Sequence, residues 1–183
     1  MERIPVAILG ATGTVGQKFI TLLQDHPYFT IKELVASPRN EGKTYQEACA
    51  WKQNTAIPAE IASTKLKTTT TPLTSTILFS GLDSSIAGEV ESNYADQGHI
   101  IISNSKNHRM DPTVPLVIPE INPDHFALLA EQRWNGAILT NSNCSTMFLA
   151  MALAPIEETF GLTAVQVSTM QAISGAGYPG VPS

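Results

Sequence analysis

Cys144 lies in the run Asn141-Ser142-Asn143-Cys144-Ser145-Thr146, between an apolar strand-like stretch (137–140) and a helix-like stretch (147–159). That places it at the helix N-terminus. Unpaired backbone N–H groups and the positive end of the helix dipole favour a thiolate there. A thiolate so held is a covalent nucleophile, and the same N–H groups can take an oxyanion. Small neighbours let a substrate carbonyl approach. The competing reading is an inert buried cysteine, the commoner fate of a thiol in a folded protein.

A second chemical feature opens the sequence. The apolar run Ile4-Pro5-Val6-Ala7-Ile8-Leu9 enters a turn with glycines at 10, 13 and 16, and an amphipathic run follows to Gln24. The spacing is a variant of the dinucleotide fingerprint. Gly10 permits the tight turn, Gly13 lets the backbone approach a pyrophosphate, and Gly16 lets the helix pack closely on the strand. The pyrophosphate would rest on the helix N-terminus. A bare strand–turn–helix is the alternative.

The next strand-like run, 30–36, ends in Ser37-Pro38-Arg39. NAD sites usually place an acidic residue at such a tip, about 20 residues beyond the glycines. A hydroxyl and a guanidinium stand here instead, which suits a 2′-phosphate and favours NADP. Glu33 lies inside the strand and should not reach. Arg39 as a solvated loop charge is the bland alternative.

The loop after the strand-like run 99–103 carries Asn104-Ser105-Lys106-Asn107-His108-Arg109. Lys106 and Arg109 make an anion site, since arginine can grip phosphate bidentately. A solvated basic turn is the other reading; a position at a strand's carboxyl end supports the functional one.

These groups need a scaffold. The chain has 183 residues, 43% hydrophobic and 15% charged, enough for one full domain and part of another. A net charge of −5 without a basic cluster argues against a nucleic-acid partner. No apolar run is long enough to span a bilayer, and the first residues read as a strand rather than a signal peptide. The two cysteines, Cys49 and Cys144, make no disulfide framework, so a reducing cytoplasm is the simple expectation. Neither has other ligand types at zinc spacing, so no metal site is expected. Between residues 40 and 75 the pattern reads as an irregular excursion without chemistry. Beyond it, strands are expected at 76–80 (Ser80 at its tip, facing the cofactor crevice), 99–103 and 137–140. Helices are expected at 84–97 and 124–133. This βαβ rhythm predicts an α/β, doubly wound Rossmann-type parallel sheet.

In order, Gly10-Ala11-Thr12-Gly13-Thr14-Val15-Gly16, the Asn104–Arg109 cluster, the Val-Pro-Leu-Val-Ile-Pro-Glu-Ile-Asn run at 114–122, Ser142-Asn143-Cys144-Ser145-Thr146 and the Gln-Ala-Ile-Ser-Gly-Ala-Gly-Tyr-Pro-Gly run at 171–180 resemble the aspartate-semialdehyde dehydrogenase family, in its archaeal and fungal branch. The glycine motif is widely shared; the cysteine motif with the Gln171 segment is more specific. The resemblance implies NADPH-dependent reduction of L-4-aspartyl phosphate to L-aspartate 4-semialdehyde, feeding lysine, threonine, methionine and isoleucine synthesis. It implies that Cys144 forms the thioester and Asn143 orients substrate or oxyanion. Arg109, Lys106 and Asn107 would hold the phosphate, and Gln171 would contact substrate. Gly10, Thr12, Gly13, Thr14 and Val15 would line the cofactor, with Ser37 and Arg39 on the 2′-phosphate and Ser174, Gly175 and Ala176 flanking the nicotinamide.

Family members run to about twice this length. The resemblance therefore implies a dinucleotide-binding domain over 1–142 and the beginning of a truncated α+β catalytic and dimerisation domain over 143–183. Only one helix and one strand-like run of that second part, the run at about 162–173, are expected to be present. The general-base histidine and carboxylate-binding arginine would come from the later half, with a homo-dimer or homo-tetramer forming when complete. The polypeptide alone is expected to have little or no turnover. Malonyl-CoA reductase, using the same thiol on a CoA ester, is similar. N-acetyl-glutamyl-phosphate reductase, with Gly-Cys-Tyr-Pro at its cysteine, matches less well. A nucleotide-binding module without catalysis is the non-enzyme alternative.

Overall fold

A computed structural model describes residues 2–172. Five strands form one sheet: β1 (Ile4–Leu9), β2 (Phe29–Val35), β3 (Ile77–Ser80), β4 (Ile100–Ser103) and β5 (Ala137–Thr140). Every pairing is parallel and the order is β2-β1-β3-β4-β5. The order reverses between β1 and β3, so the topological switch point lies at the carboxyl end of β1. Ligands of open α/β sheets bind at such a point.

The interior strand β1 shows why this sequence builds this sheet. Val6, Ala7, Ile8 and Leu9 are all fully buried, as a strand covered on both faces requires. Val6 and Ile8 join one core with Ile20, Leu23 and Leu34; Ala7 and Leu9 join the other with Leu78, Tyr94 and Ile101. Each fully buried Ile or Leu contributes about 2 kcal/mol. Pro5 lacks an N–H, yet it is tolerated because pairing with β3 begins only at Val6. In β2 the register against β1 slips between Val6 and Ala7, so Lys32 is bulged and exposed. Beyond the bulge Glu33, Leu34 and Val35 are all buried.

The helices are α1 (Thr14–Leu23), the single turns α2 (Tyr45–Ala48) and α3 (Ala59–Ala62), α4 (Ser84–Asp96) and α5 (Cys144–Phe160). Asp83 caps α4 by accepting from the Ser85 N–H, and Asn143 caps α5 by accepting from Thr146. The excursion between β2 and β3 is irregular, as expected, but it is not idle. Tyr45 Oη donates to the Ala11 carbonyl, and fully buried Gln17 bonds Thr12 O, Ala50 O and Lys52 N. The excursion thus braces the glycine turn from behind.

Two expectations are corrected. Residues 123–131 form a 3-10 helix, not an α-helix. None of its residues is buried, so no packed face enforces the wider spiral. The strand expected from Leu162 does not form: 161–172 is without regular structure and exposed throughout. Its alternating pattern finds no partner strand here, and a lone strand leaves its backbone groups unsatisfied.

Candidate active site

The carboxyl edge of the sheet brings the chemical features together. Leu9, Ser80, Ser103 and Thr140 stand in register across β1, β3, β4 and β5. Immediately beyond them come the glycine turn, the 81–83 turn, the 104–109 loop and the 141–144 loop. The tip of β2 is joined to the same edge by Ala11 N donating to Val35 O at 2.9 Å.

The glycine turn works as its spacing predicts. Gly10 has φ +74°, and a Cβ there would lie 2.8 Å from the Gly81 carbonyl oxygen. A Cβ on Gly16 would run into Gly10 O and the Ala11 backbone, so α1 can approach the strand only with glycine there. Gly13 occupies the N-cap of α1 without any side-chain cap. A side-chain cap takes one N–H at the start of α4 and one at the start of α5; at the start of α1 no side chain takes any, so its first N–H groups stay available to an anion. These residues fit a dinucleotide. Thr12, Thr14 and Val15 lie on this turn, half-buried, and Val15 packs where a Gly81 side chain would be. Ser37 and Arg39 are exposed at the end of β2, with Arg39 in a short 3-10 turn (Pro38–Asn40). Glu33 is fully engaged elsewhere: Lys67 Nζ lies 2.6 Å from its Oε1, and Thr74 and Ser75 donate to it. It cannot serve a ribose.

Cys144 is exposed and is the first residue of α5. Gln171 Nε2 donates to its sulfur at 3.6 Å. Arg109 is half-buried, with one terminal nitrogen donating to Asn104 O at 2.9 Å. Burial pulls the Arg109 guanidinium below its ordinary pKa, while the negative charge of a Cys144 thiolate acts in the opposite sense. Asn141 Nδ2 donates to Asn104 Oδ1 at 3.0 Å and ties the thiol loop to the anion loop. Lys106 is exposed.

Three candidates have side chains engaged within the fold. The Asn143 oxygen accepts from Thr146 N at 2.9 Å, so its carboxamide caps α5 and only its nitrogen can turn to a ligand. Asn107 accepts from Ser105 Oγ and donates to Ser84 O, so it braces the loop against α4. Ser80 is fully buried, and its hydroxyl donates to Glu91 at 2.6 Å instead of facing a cofactor. Ser174, Gly175 and Ala176 lie outside the described residues. Sequence reasoning missed Glu91, Asn104 and Asn141. Glu91 had a signal: it sits with Ala87, Tyr94 and Ala95 on the buried face of α4.

Among the described residues no group of three or more His, Cys, Asp or Glu is placed to hold a metal ion. None of their helices is long and apolar enough to cross a membrane. The surface hollow lined by Lys18, Thr21, Lys52, Gln53, Asn54 and Thr55 contains none of these site residues.

A doubly wound parallel sheet with an uncapped glycine-turn helix at its switch point defines a Rossmann-type dinucleotide-binding domain. The family model described as semialdehyde dehydrogenase, NAD binding domain, matches residues 5–129, and the chain belongs to that family. It is 50% identical to an aspartate-semialdehyde dehydrogenase of Schizosaccharomyces pombe, over 97% of this chain and 52% of the relative. A crystal structure of aspartate semialdehyde dehydrogenase with NADP from Candida albicans superposes with TM-score 0.81 at 36% identity, covering 88% of this chain and 48% of that one. A malonyl CoA reductase (NADP) of Metallosphaera sedula is 41% identical over all of this chain and 52% of its own length. The chain thus spans about half the length of the curated relatives it matches.

Proposed function

We propose that this chain carries the NADP-binding domain and the nucleophile of an aspartate-semialdehyde dehydrogenase. The observation that supports this best is the convergence of the exposed Cys144, Gln171 and Arg109 on the edge that carries the glycine turn. The Cys144 thiolate attacks the acyl carbon of L-4-aspartyl phosphate. A C–S bond forms, the carbon–oxygen bond to phosphate breaks, and phosphate leaves onto Lys106 and Arg109. The N–H groups at the start of α5 and the Gln171 amide face the carbonyl oxygen as it gains charge. The Asn143 nitrogen orients the substrate. Bound NADPH supplies the hydride that converts the thioester to the aldehyde and frees the thiolate. Gly10, Gly13 and the start of α1 hold the pyrophosphate, with Thr12, Thr14 and Val15 beside it. Ser37 and Arg39 would hold the 2′-phosphate.

In this reading residues 1–142 form the cofactor domain and 143–183 begin the catalytic and dimerisation domain of a cytoplasmic homo-dimer or homo-tetramer. The product feeds lysine, threonine and methionine synthesis. The 183-residue polypeptide binds NADPH with little or no turnover. Steady-state assays of the full-length protein with aspartyl phosphate and with malonyl-CoA test the reading. Reduction of aspartyl phosphate alone supports it, and reduction of malonyl-CoA alone replaces it. The second outcome is a real alternative because a relative of that name matches over the same length.

A further inference from the structure

Glu91 is buried without exposure on α4, and the chemistry above does not use it. Ser80 and Ser103, at the tips of β3 and β4, donate to its Oε1 at 2.6 and 2.8 Å. Its Oε2 has no hydrogen-bond partner. His108 Nε2 stands 3.7 Å away, also buried and also without a partner. Among the described residues, the other buried side-chain polar atoms without a partner are Arg109 Nε and Asn141 Oδ1. All four therefore sit on or against the two loops that carry Lys106, Arg109 and Cys144.

Two orphaned groups facing each other just outside bonding range are unfavourable as they stand. One proton between them satisfies both, whichever atom carries it. The pair also spans the anion loop. Ser103, held by Glu91, accepts from Ser105 N at 3.0 Å and anchors the loop's start. His108 packs edge-on against Trp134 at 5.7 Å and directly precedes Arg109 at the loop's end.

We propose that Glu91 and His108 are the positioning pair of the 104–109 loop: a proton shared between Oε2 and Nε2 fixes His108, and through it Arg109, for phosphate. This rests on the reading of that loop as the phosphate site. Burial raises the Glu91 carboxyl above its usual range, with Ser80, Ser103 and His108 opposing, and that favours a shared proton over a free carboxylate.

The test titrates inorganic phosphate against iodoacetamide alkylation of Cys144 in the 183-residue chain, Glu91→Gln, His108→Phe and the double variant. Glu91→Gln keeps an acceptor for both serines and turns an amide N–H toward Nε2, so it conserves the contact; His108→Phe keeps a ring against Trp134 but removes Nε2. His108→Phe is expected to raise the half-protecting phosphate concentration about tenfold, and Glu91→Gln to leave it near the wild-type value. The thermal midpoint and NADPH affinity stay unchanged, and the double variant matches His108→Phe. Protection equal to wild type in His108→Phe overturns the pair. So does a parallel fall in midpoint, NADPH affinity and phosphate affinity, the mark of a merely structural role. Arg109→Ala separates the two readings. If it abolishes protection while His108→Phe does not alter it, the phosphate site stands and the pair falls. If wild type is not protected at all, both fall.

Discussion

Gln171 Nε2 points at Cys144 Sγ across 3.6 Å, joining residues 27 apart in sequence. The sulfur is exposed, at a helix start, and electrostatically coupled to Arg109. Cys49 differs in each respect. It is half-buried, and burial pushes its thiol above the ordinary pKa, with Tyr45 opposing. Iodoacetamide should therefore label Cys144 at least about tenfold faster than Cys49 near pH 7. Peptide mass spectrometry after timed quenching reads this directly. Equal labelling would remove the nucleophile from the proposal. Arg109→Ala should slow the Cys144 rate and leave Cys49 unchanged.

Arg39 stands where an NAD-specific site would have a carboxylate. Arg39→Ala should weaken NADPH binding about tenfold, the loss of a charge-assisted contact, and barely change NADH binding. Fluorescence titration of both cofactors gives the ratio. An equal loss for both would mean that Arg39 does not read the 2′-phosphate.

Gly10 and Gly16 hold the cofactor turn in different ways. Gly10→Ala combines a left-handed φ of +74° with a clash on Gly81 O. Gly16→Ala keeps an ordinary helical backbone but pushes α1 away from the Gly10–Ala11 turn. Both should cost about 2 kcal/mol and lower NADPH affinity. Gly42→Ala is the control: its φ is +73° but nothing lies within 4 Å, so about 1 kcal/mol is expected with NADPH affinity retained. Urea denaturation and cofactor titration separate the three.

Glu33 makes stability depend on acid. Burial alone would raise its carboxyl, but bonds from Lys67, Ser75 and Thr74 outweigh that and hold it at about 2, against an ordinary 4.5. The folded chain therefore binds this proton more weakly than the unfolded chain. The contribution is complete above pH 4.5 and is lost as pH falls toward 2, about 3 kcal/mol in all. Glu33→Gln should flatten the stability profile in that window. A variant that follows the wild-type slope between those values would refute the assignment.

The parallel sheet and its switch point were legible because fully buried strands write continuous apolar runs, and the glycines at 10, 13 and 16 mark the first crossover. β5 fell where its apolar run placed it, and so did Cys144 at the head of α5. The 162–170 segment alternates as a half-buried strand does, but among the described residues it has no partner strand and stays irregular. Asn107 and Ser80 look like ligand residues in sequence. Only the fold reveals that Ser84, Ser105 and Glu91 already engage them. Glu91 itself was hidden by the habit of placing glutamates on solvated faces, although its spacing from Ala87 and Tyr94 put it on the inner one.

The parallel register also serves as a ruler. Adjacent strands lie about 4.8 Å apart. The anion loop on β4 is one such step from the thiol loop on β5, and the glycine turn on β1 is three steps from it, roughly 14 Å. Loop mutations can retune what each station grips, but the intervals between stations change only if the backbone ladder itself breaks. A ligand must therefore match a measure set by the peptide bond, which selects for elongated molecules lying across the strand ends over compact ones.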